Sequence, residues 1–164
     1  MRLWPYQMLD VLPYRQMLSQ WRECLAISGM IRNGDGKVNH ATINRLNDYP
    51  IEHFCIYCKL VIKEFKRREW TIGTNAIGKL NENIDYESIE CDYKEKIEKD
   101  ENGNEIKTVY VLTPDGKSEK LFENFHNERY IKQCLYSFQE KYDVNMLNDK
   151  EWKILENKFK YLLF

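Results

Sequence analysis

The segment Leu12-Pro13-Tyr14-Arg15-Gln16-Met17-Leu18-Ser19-Gln20-Trp21-Arg22-Glu23-Cys24 defines both a first helix and a first candidate site. From Leu12 to about Gly29 the residues Tyr14, Leu18, Trp21 and Leu25 recur at spacings of 4, 3 and 4, which places them on one face of an α-helix. Pro13 suits the first turn, where a missing backbone N–H leaves no bond unmade. At about 100° per residue the apolar stripe centres near Leu18 and Trp21. Glu23 is then expected roughly opposite, with Gln16 and Ser19 beside it and Arg15 and Arg22 together on the flank between. A carboxylate flanked by guanidinium groups and an amide can hold a negatively charged substrate and still accept a proton. The same arrangement also describes an ordinary solvated helix face.

Asn33-Gly34-Asp35-Gly36 is a turn by its chemistry, since Asn and Gly tolerate positive φ. A second helix is expected from near Pro50 to about Arg68, burying Phe54, Cys58, Val61 and Phe65. Lys59, Lys63 and Lys66 line its opposite side, as a phosphate-facing stripe or as a solvated face. Between Cys91 and Leu112 the pattern changes to strand, turn at Asp100-Glu101-Asn102-Gly103-Asn104, and strand, a hairpin signal followed by a turn at Pro114-Asp115-Gly116. Two amphipathic helices close the chain, from about Asn127 to Lys141 and from about Asp149 to the end, the last with Trp152, Leu155, Phe159 and Leu162 on one face. The expected fold is mainly α. It is a single helical domain, residues 1–164, with its core in about 1–70 and 121–164 and a small β-hairpin excursion over about 85–120.

With 43% hydrophobic and 31% charged residues, the chain of 164 residues has an ordinary globular composition, which argues against disorder. No apolar run reaches membrane-spanning length and no secretory signal pattern opens the chain, so a cytoplasmic protein without membrane contact is expected. Residues 1–70 hold 11 Lys or Arg against 7 Asp or Glu, a net +4, while residues 71–164 carry a net −5. A positive first half is compatible with phosphate binding of moderate strength. Five scattered cysteines read as reduced thiols, and Cys55-x-x-Cys58, inside an apolar-periodic helix, reads as core packing rather than a metal or redox pair. His53 and His126 are expected at the surface or as caps. No histidine pair has metal-ligand spacing with carboxylates, so neither a metal nor another cofactor is expected.

The start Met1-Arg2-Leu3-Trp4, the run from Leu12 to Cys24, His40-Ala41-Thr42-Ile43 and Tyr130-Ile131-Lys132-Gln133-Cys134-Leu135 together resemble the pyrimidine-dimer DNA glycosylases, the endonuclease V type of phages and its bacterial relatives. The likeness covers roughly the first 70 residues and one later helix, and Arg22-Glu23 is its most specific piece. It implies double-stranded DNA as partner, a monomeric enzyme, and a virus-encoded protein acting in the host cell as one possible source. It also implies a chemistry: an N-terminal α-amine attacks the sugar C1′ of a damaged nucleotide, an imine forms, the base leaves, and β-elimination cuts the strand.

Carried over residue by residue, the resemblance makes Met1 the nucleophile, because the bulky Arg2 blocks removal of the initiator. Glu23 becomes the acid–base group. Arg2, Arg15, Gln16, Arg22, His40, Lys63 and Lys66 form the expected nucleic-acid contacts, the two lysines from the basic helix face. An α-amine suits the task because its reference pKa, about 7.7 to 8.0, leaves a sizeable fraction unprotonated near neutrality. The sequence departs from the family pattern at Pro5 and Trp21, which stand where histidines are usual, and at Ala26 and Ser28, where an arginine is usual. These departures motivate an alternative: a non-catalytic factor binding nucleic acid, nucleotide or protein on the same scaffold.

Overall fold

A computed structural model of the chain describes residues 2–163. The first helix, α1, spans Tyr14–Asn33 and ends four residues beyond the point that the periodicity suggests. It ends at Gly34, where a Cβ would lie 2.2 Å from the Lys37 carbonyl oxygen, so only glycine fits the tight return of the chain. The buried face of α1 carries Met17, Gln20, Trp21, Cys24, Ile27, Ser28 and Ile31. The expected stripe is therefore rotated. Tyr14 is 58% exposed and packs its ring edge-on against Trp70, while Leu18 and Leu25 are half-buried. The reason is tertiary: α1 packs against two later helices, and their positions select which of its apolar positions turn inward.

Helix α2, Ile51–Arg67, is the central element. Phe54, Cys58, Val61 and Phe65 are buried as expected, and so are His53, Cys55, Ile56, Tyr57 and Leu60, which gives the helix neighbours on several sides. Helix α3, Thr74–Ile84, was not expected from the sequence. It lies along α1, where Asn83 donates to the buried Ser28 hydroxyl at 2.9 Å. Ser28, at one of the positions where an arginine was looked for, is thus spent on packing.

Residues 2–12 carry only a short 3₁₀-helix, Tyr6–Val11, yet their backbone groups are bound from all around. The Tyr130 hydroxyl donates to the Leu3 carbonyl at 2.9 Å, and the buried Tyr57 hydroxyl donates to the Trp4 carbonyl at 2.6 Å. The Tyr6 N–H donates to Nδ1 of His126 at 3.1 Å. Arg68 donates to the carbonyls of Leu9 and Leu12 at 3.1 and 2.9 Å, and Arg67 to that of Asp10 at 3.0 Å. Both guanidinium groups are aimed by the buried Glu64, which accepts from Arg68 Nε at 2.8 Å and from Arg67 Nε at 2.9 Å. Buried peptide groups outside ladders must find such partners, and here side chains of α2 and the later half supply them.

A three-stranded antiparallel sheet follows, with β1 Asp92–Lys99, β2 Glu105–Leu112 and β3 Ser118–Lys120 in the order β1-β2-β3. The hairpin turn is closed by Asp100, whose carboxylate accepts from the backbone N–H groups of Asn102 and Asn104. The third strand was not expected, since only the Pro114-Asp115-Gly116 turn is visible in the sequence. Nor is the sheet a free excursion. Val109 and Val111 are fully buried against the helical core, and Lys59 donates to the Cys91 carbonyl at 2.9 Å.

Helix α4, Glu128–Asp143, starts at Asn127, whose side chain accepts from the Tyr130 N–H. Helix α5, Asp149–Lys158, starts with a reciprocal Asn148–Glu151 capping box. The chain breaks at Phe159 before the short α6, Lys160–Leu163, so the single closing helix expected is two pieces. Trp152, Leu155, Phe159 and Leu162 are nevertheless all buried. The architecture is mainly α with a small antiparallel sheet, as the sequence pattern indicates. No helix of the described residues is long and apolar enough to cross a membrane.

His53 and His126, expected at the surface, are both buried. Each accepts a backbone N–H through Nδ1, His53 from Phe122 at 3.2 Å and His126 from Tyr6. Phe122 itself is buried with φ +48°, a left-handed conformation that costs a bulky side chain free energy and that surrounding packing must hold. Burial first, and the charge of Arg45 second, push His126 well below its ordinary value of 6.5.

Two outcomes are expected. Tyr57→Phe leaves the Trp4 carbonyl buried without its donor, so urea unfolding should show a loss of about 1–3 kcal/mol. Because folded His126 stays neutral, the unfolded chain binds the extra proton once pH falls below 6.5, and stability declines by up to about 1.4 kcal/mol per unit from there. Urea midpoints at pH 7.0 and 5.5 should reveal this loss in the native sequence. The loss should be smaller in His126→Asn, whose side-chain oxygen can still accept the Tyr6 N–H.

Candidate active site

The residues singled out on α1 separate into two groups by exposure. Arg15 and Arg22 are exposed on the side away from the core, with no hydrogen bond or ion pair to another described residue. Glu23 is not opposite the core but on its border, half-buried, with Oε2 shielded from solvent and without a hydrogen-bond partner. Gln16, two turns earlier on the same flank, is half-buried, and its Oε1 is likewise unpartnered. Gln20 lies between them, fully buried, with neither Nε2 nor Oε1 bonded. The spacing i, i+4, i+7 keeps these three side chains within about 60° of arc on one ridge roughly 10 Å long.

This ridge concentrates an unusual kind of atom. Five of the seven buried side-chain polar atoms without a partner among the described residues belong to α1: those of Gln16, Gln20 and Glu23, and the indole Nε1 of Trp21. Left dry, each costs about 1–3 kcal/mol. Five together are comparable to the roughly 5–15 kcal/mol net stability of a domain. Such a strip is suited to a polar partner that supplies the missing bonds, and polar groups of this kind are frequent where function overrides packing.

The N-terminal segment comes to the same region of the fold. Cys24, next to Glu23, hydrogen-bonds Cys58 on α2, one residue from the Tyr57 that holds Trp4. Arg2 is half-buried, its Nη1 3.4 Å from Cys134 Sγ and its guanidinium 5.1 Å from the Trp4 ring centroid. Met1, the expected nucleophile, lies outside the described residues. Arg45 was missed by sequence reasoning, although it follows the His40–Ile43 run closely. Its guanidinium stands 4.3 Å from the Phe125 ring and 5.2 Å from that of Tyr130, adding a second cation near the residue that holds Leu3.

The remaining sequence-named residues lie elsewhere. His40 is half-buried and accepts the Thr42 N–H through Nδ1 at 3.2 Å, which leaves Nε2 as the protonated nitrogen of the neutral ring. Lys66 is exposed with no ion pair to a described residue. Lys63 donates to Glu95 of β1 at 3.3 Å, and Glu95 also pairs with Lys107 of β2 at 3.1 Å. The basic face expected along α2 is therefore reduced, since the sheet engages both Lys59 and Lys63. A groove of about 1000 Å³ opens between the first turn of α1, at Tyr14, Arg15 and Gln16, and the corner joining α4 to α5.

The cysteines are all free, and Cys24, Cys55, Cys58 and Cys134 are buried. Burial pushes the Cys55 thiol up to about 12. Burial first, and the hydrogen bond with Cys24 second, raise Cys58 well above its ordinary value. Among the described residues no group of three or more His, Cys, Asp or Glu side chains could hold a metal ion.

The fold and this geometry define a class: a small helical protein whose first helix offers one carboxylate, two exposed arginines and a row of unsatisfied amides beside an anchored N-terminal segment. Residues 1–78, a little under half of the chain, match the family model of the pyrimidine dimer DNA glycosylases, which supports the assignment to that family. The matched part contains the anchored segment, α1, α2 and the start of α3. The sheet and the closing helices lie beyond it. No curated protein and no solved structure matches the chain.

The thiols offer a direct check of the packing. In native protein at pH 8 a thiol-specific reagent should modify the half-buried Cys91 first and the other four only on unfolding. Fast modification of Cys55 and Cys58 together would contradict their assignment to the core.

Proposed function

We propose that the protein is a DNA glycosylase with associated abasic-site lyase activity, acting on damaged or modified bases in double-stranded DNA through the free amine of its first residue. The observation that carries this reading is the unpartnered, shielded carboxylate oxygen of Glu23, on the helix that the family model covers. The reading is also supported by the anchoring of Leu3 and Trp4, which fixes the chain two and three residues from the amine. Pre-positioning a nucleophile in this way converts part of the entropy of reaction into folding.

In this mechanism the amine lone pair of Met1 attacks C1′ of the damaged nucleotide. The glycosidic C–N bond breaks, its electron pair leaves with the base, and the base is protonated. Loss of the amine proton and opening of the sugar ring give the imine. A proton then leaves C2′, and the C3′–O bond breaks with departure of the 3′ phosphate, which is β-elimination. Glu23 accepts and returns protons through these steps and balances the positive charge that develops on the sugar and the imine nitrogen.

Arg2 stands beside the nucleophile. Arg22 and Arg15, exposed on α1, meet phosphates, with Gln16 facing the same duplex. Lys66 and His40 contribute outlying contacts, and Lys63 contributes in competition with Glu95. The protein acts as a monomer without a cofactor.

Borohydride reduction with abasic-site duplex tests this proposal. The expected result is a covalent protein–DNA adduct that disappears when one residue is added ahead of Met1. Glu23→Gln should lower turnover by about 10²- to 10⁴-fold while the melting temperature holds. If the native protein forms no adduct, catalysis is removed from the account and a non-catalytic DNA-binding role takes its place.

A further inference from the structure

We infer that the cavity between the N-terminal 3₁₀ segment, α2, the sheet and the closing helices binds a small molecule in which a planar aromatic ring is joined to one anionic group, of the nucleoside monophosphate or aromatic carboxylate class. The cavity has a volume of about 420 Å³, within the range of roughly 300–1,000 Å³ that small-molecule sites occupy. Leu9, Leu60, Val109 and Phe159, all buried, give it an apolar lining, to which the half-buried Tyr6 and Tyr161 add two further rings. No residue of α1 lines it, so it is separate from the ridge of Gln16, Gln20 and Glu23. It also joins the two parts of the chain: the residues from Tyr6 to Arg67 come from the segment that the family model covers, and those from Glu95 to Tyr161 from beyond it.

Charge decides which substituent the ring carries. Cations and carboxylates both line the cavity, but they are unevenly matched. Lys63 and Lys107 share the single carboxylate of Glu95, at 3.3 and 3.1 Å, and Arg67 shares Glu64 with Arg68. Lys63 and Arg67, four residues apart on α2, are neighbours on one side of that helix, and Lys107 reaches Glu95 from β2. Each shared carboxylate leaves one positive charge over, so this side of the cavity attracts an anion. Lys158 is matched by Asp10, and the exposed Glu105 pairs with no described residue. The groove at the α4–α5 corner has the opposite balance, with Asp143, Asp149 and Glu151 against Arg15. The ring finds polar partners as well. The Tyr6 hydroxyl accepts the Val109 N–H at 3.4 Å and has no acceptor among the described residues for its own proton. Burial pushes this phenol up to about 12, so the proton is present at neutral pH and can be donated to an oxygen on the ring. Gln7 lines the same cavity, and its Oε1 has no donor among the described residues.

Titration calorimetry at low salt tests the inference with two anionic probes, thymidine 5′-monophosphate and 4-hydroxyphenylacetate. Thymidine and inorganic phosphate serve as the ring without the anion and the anion without the ring. At least one anionic probe should bind with a Kd of about 10 μM to 1 mM, and thymidine and phosphate should each bind at least about 10-fold more weakly. Either anionic probe supports the inference, and the tighter of the two identifies the ligand as nucleotide or aromatic acid. Lys107→Glu should weaken that probe by about 5- to 100-fold, and Glu105→Lys should tighten it. Both side chains are exposed, so melting temperatures should stay near that of the native protein, and if one variant folds poorly the other still decides. Failure of both anionic probes to bind would overturn the inference. So would an affinity that neither substitution moves, which would mean that the probe is held elsewhere, or equally tight binding of phosphate alone. None of these outcomes depends on whether the borohydride adduct forms.

Discussion

The backbone of residues 3–12 belongs to no sheet and to only a short 3₁₀-helix, so its buried carbonyls depend on side chains brought from far along the chain. Tyr57 and Arg67 of α2, Arg68 just after it and Tyr130 of α4 meet that demand, with buried His126 accepting the one N–H that faces it. An unmet carbonyl in that environment is costly, so these bonds and the position of the segment are mutually determining. Loss of α2 or α4 would release the N-terminus. This explains why so much of α2 is buried: it serves the N-terminal segment, α1 and the sheet at once.

Glu64 illustrates how the demand is met at low cost. Its carboxylate is buried, and two adjacent guanidinium groups neutralise it while passing their remaining N–H groups to backbone carbonyls of the N-terminal segment. A buried acid alone would be destabilising, but one that orients two arginines satisfies its own charge and orders the segment they grip. His126 follows a related logic. It stays neutral in a setting of Tyr6, Tyr57, Phe122, Phe125 and Tyr130, and that neutrality keeps Nδ1 available as an acceptor.

Against this well-satisfied framework, the unsatisfied ridge on α1 stands apart. The same helix buries an apolar face against α2 and α3, exposes Arg15 and Arg22, and carries Gln16, Gln20 and Glu23 on the border between. Electrostatics elsewhere reinforce the contrast. Glu95 of β1 pairs with Lys63, and Glu82 of α3 pairs with Arg32 at 3.0 Å, so two of the cations counted in the first 70 residues are neutralised by carboxylates of the acidic later part. Arg15 and Arg22, beside the ridge, pair with no carboxylate among the described residues.

Much of the architecture was legible in local chemistry. The hairpin turn from Asp100 to Asn104, the starts of helices near Asn127 and Asp149, the buried stripe of α2 and the apolar face that closes the chain depend on spacing and on turn residues within a few positions. Such signals survive in a sequence because the interactions behind them are local. The resemblance around Arg22-Glu23 was equally legible, since it is a run of adjacent letters. Helix α3 was missed because Gly73 precedes it, Gly78 interrupts its pattern and Leu80 is its one buried residue, and strand β3 because it has only three residues.

The burial of His53 and His126, the turning of Tyr14 to the surface and the position of Glu23 on the border of the core lay beyond what the sequence could determine alone. Periodicity tells which residues share a face of a helix. Which face turns inward depends on where other helices pack, and whether a polar atom on it finds a partner depends on contacts across more than a hundred residues.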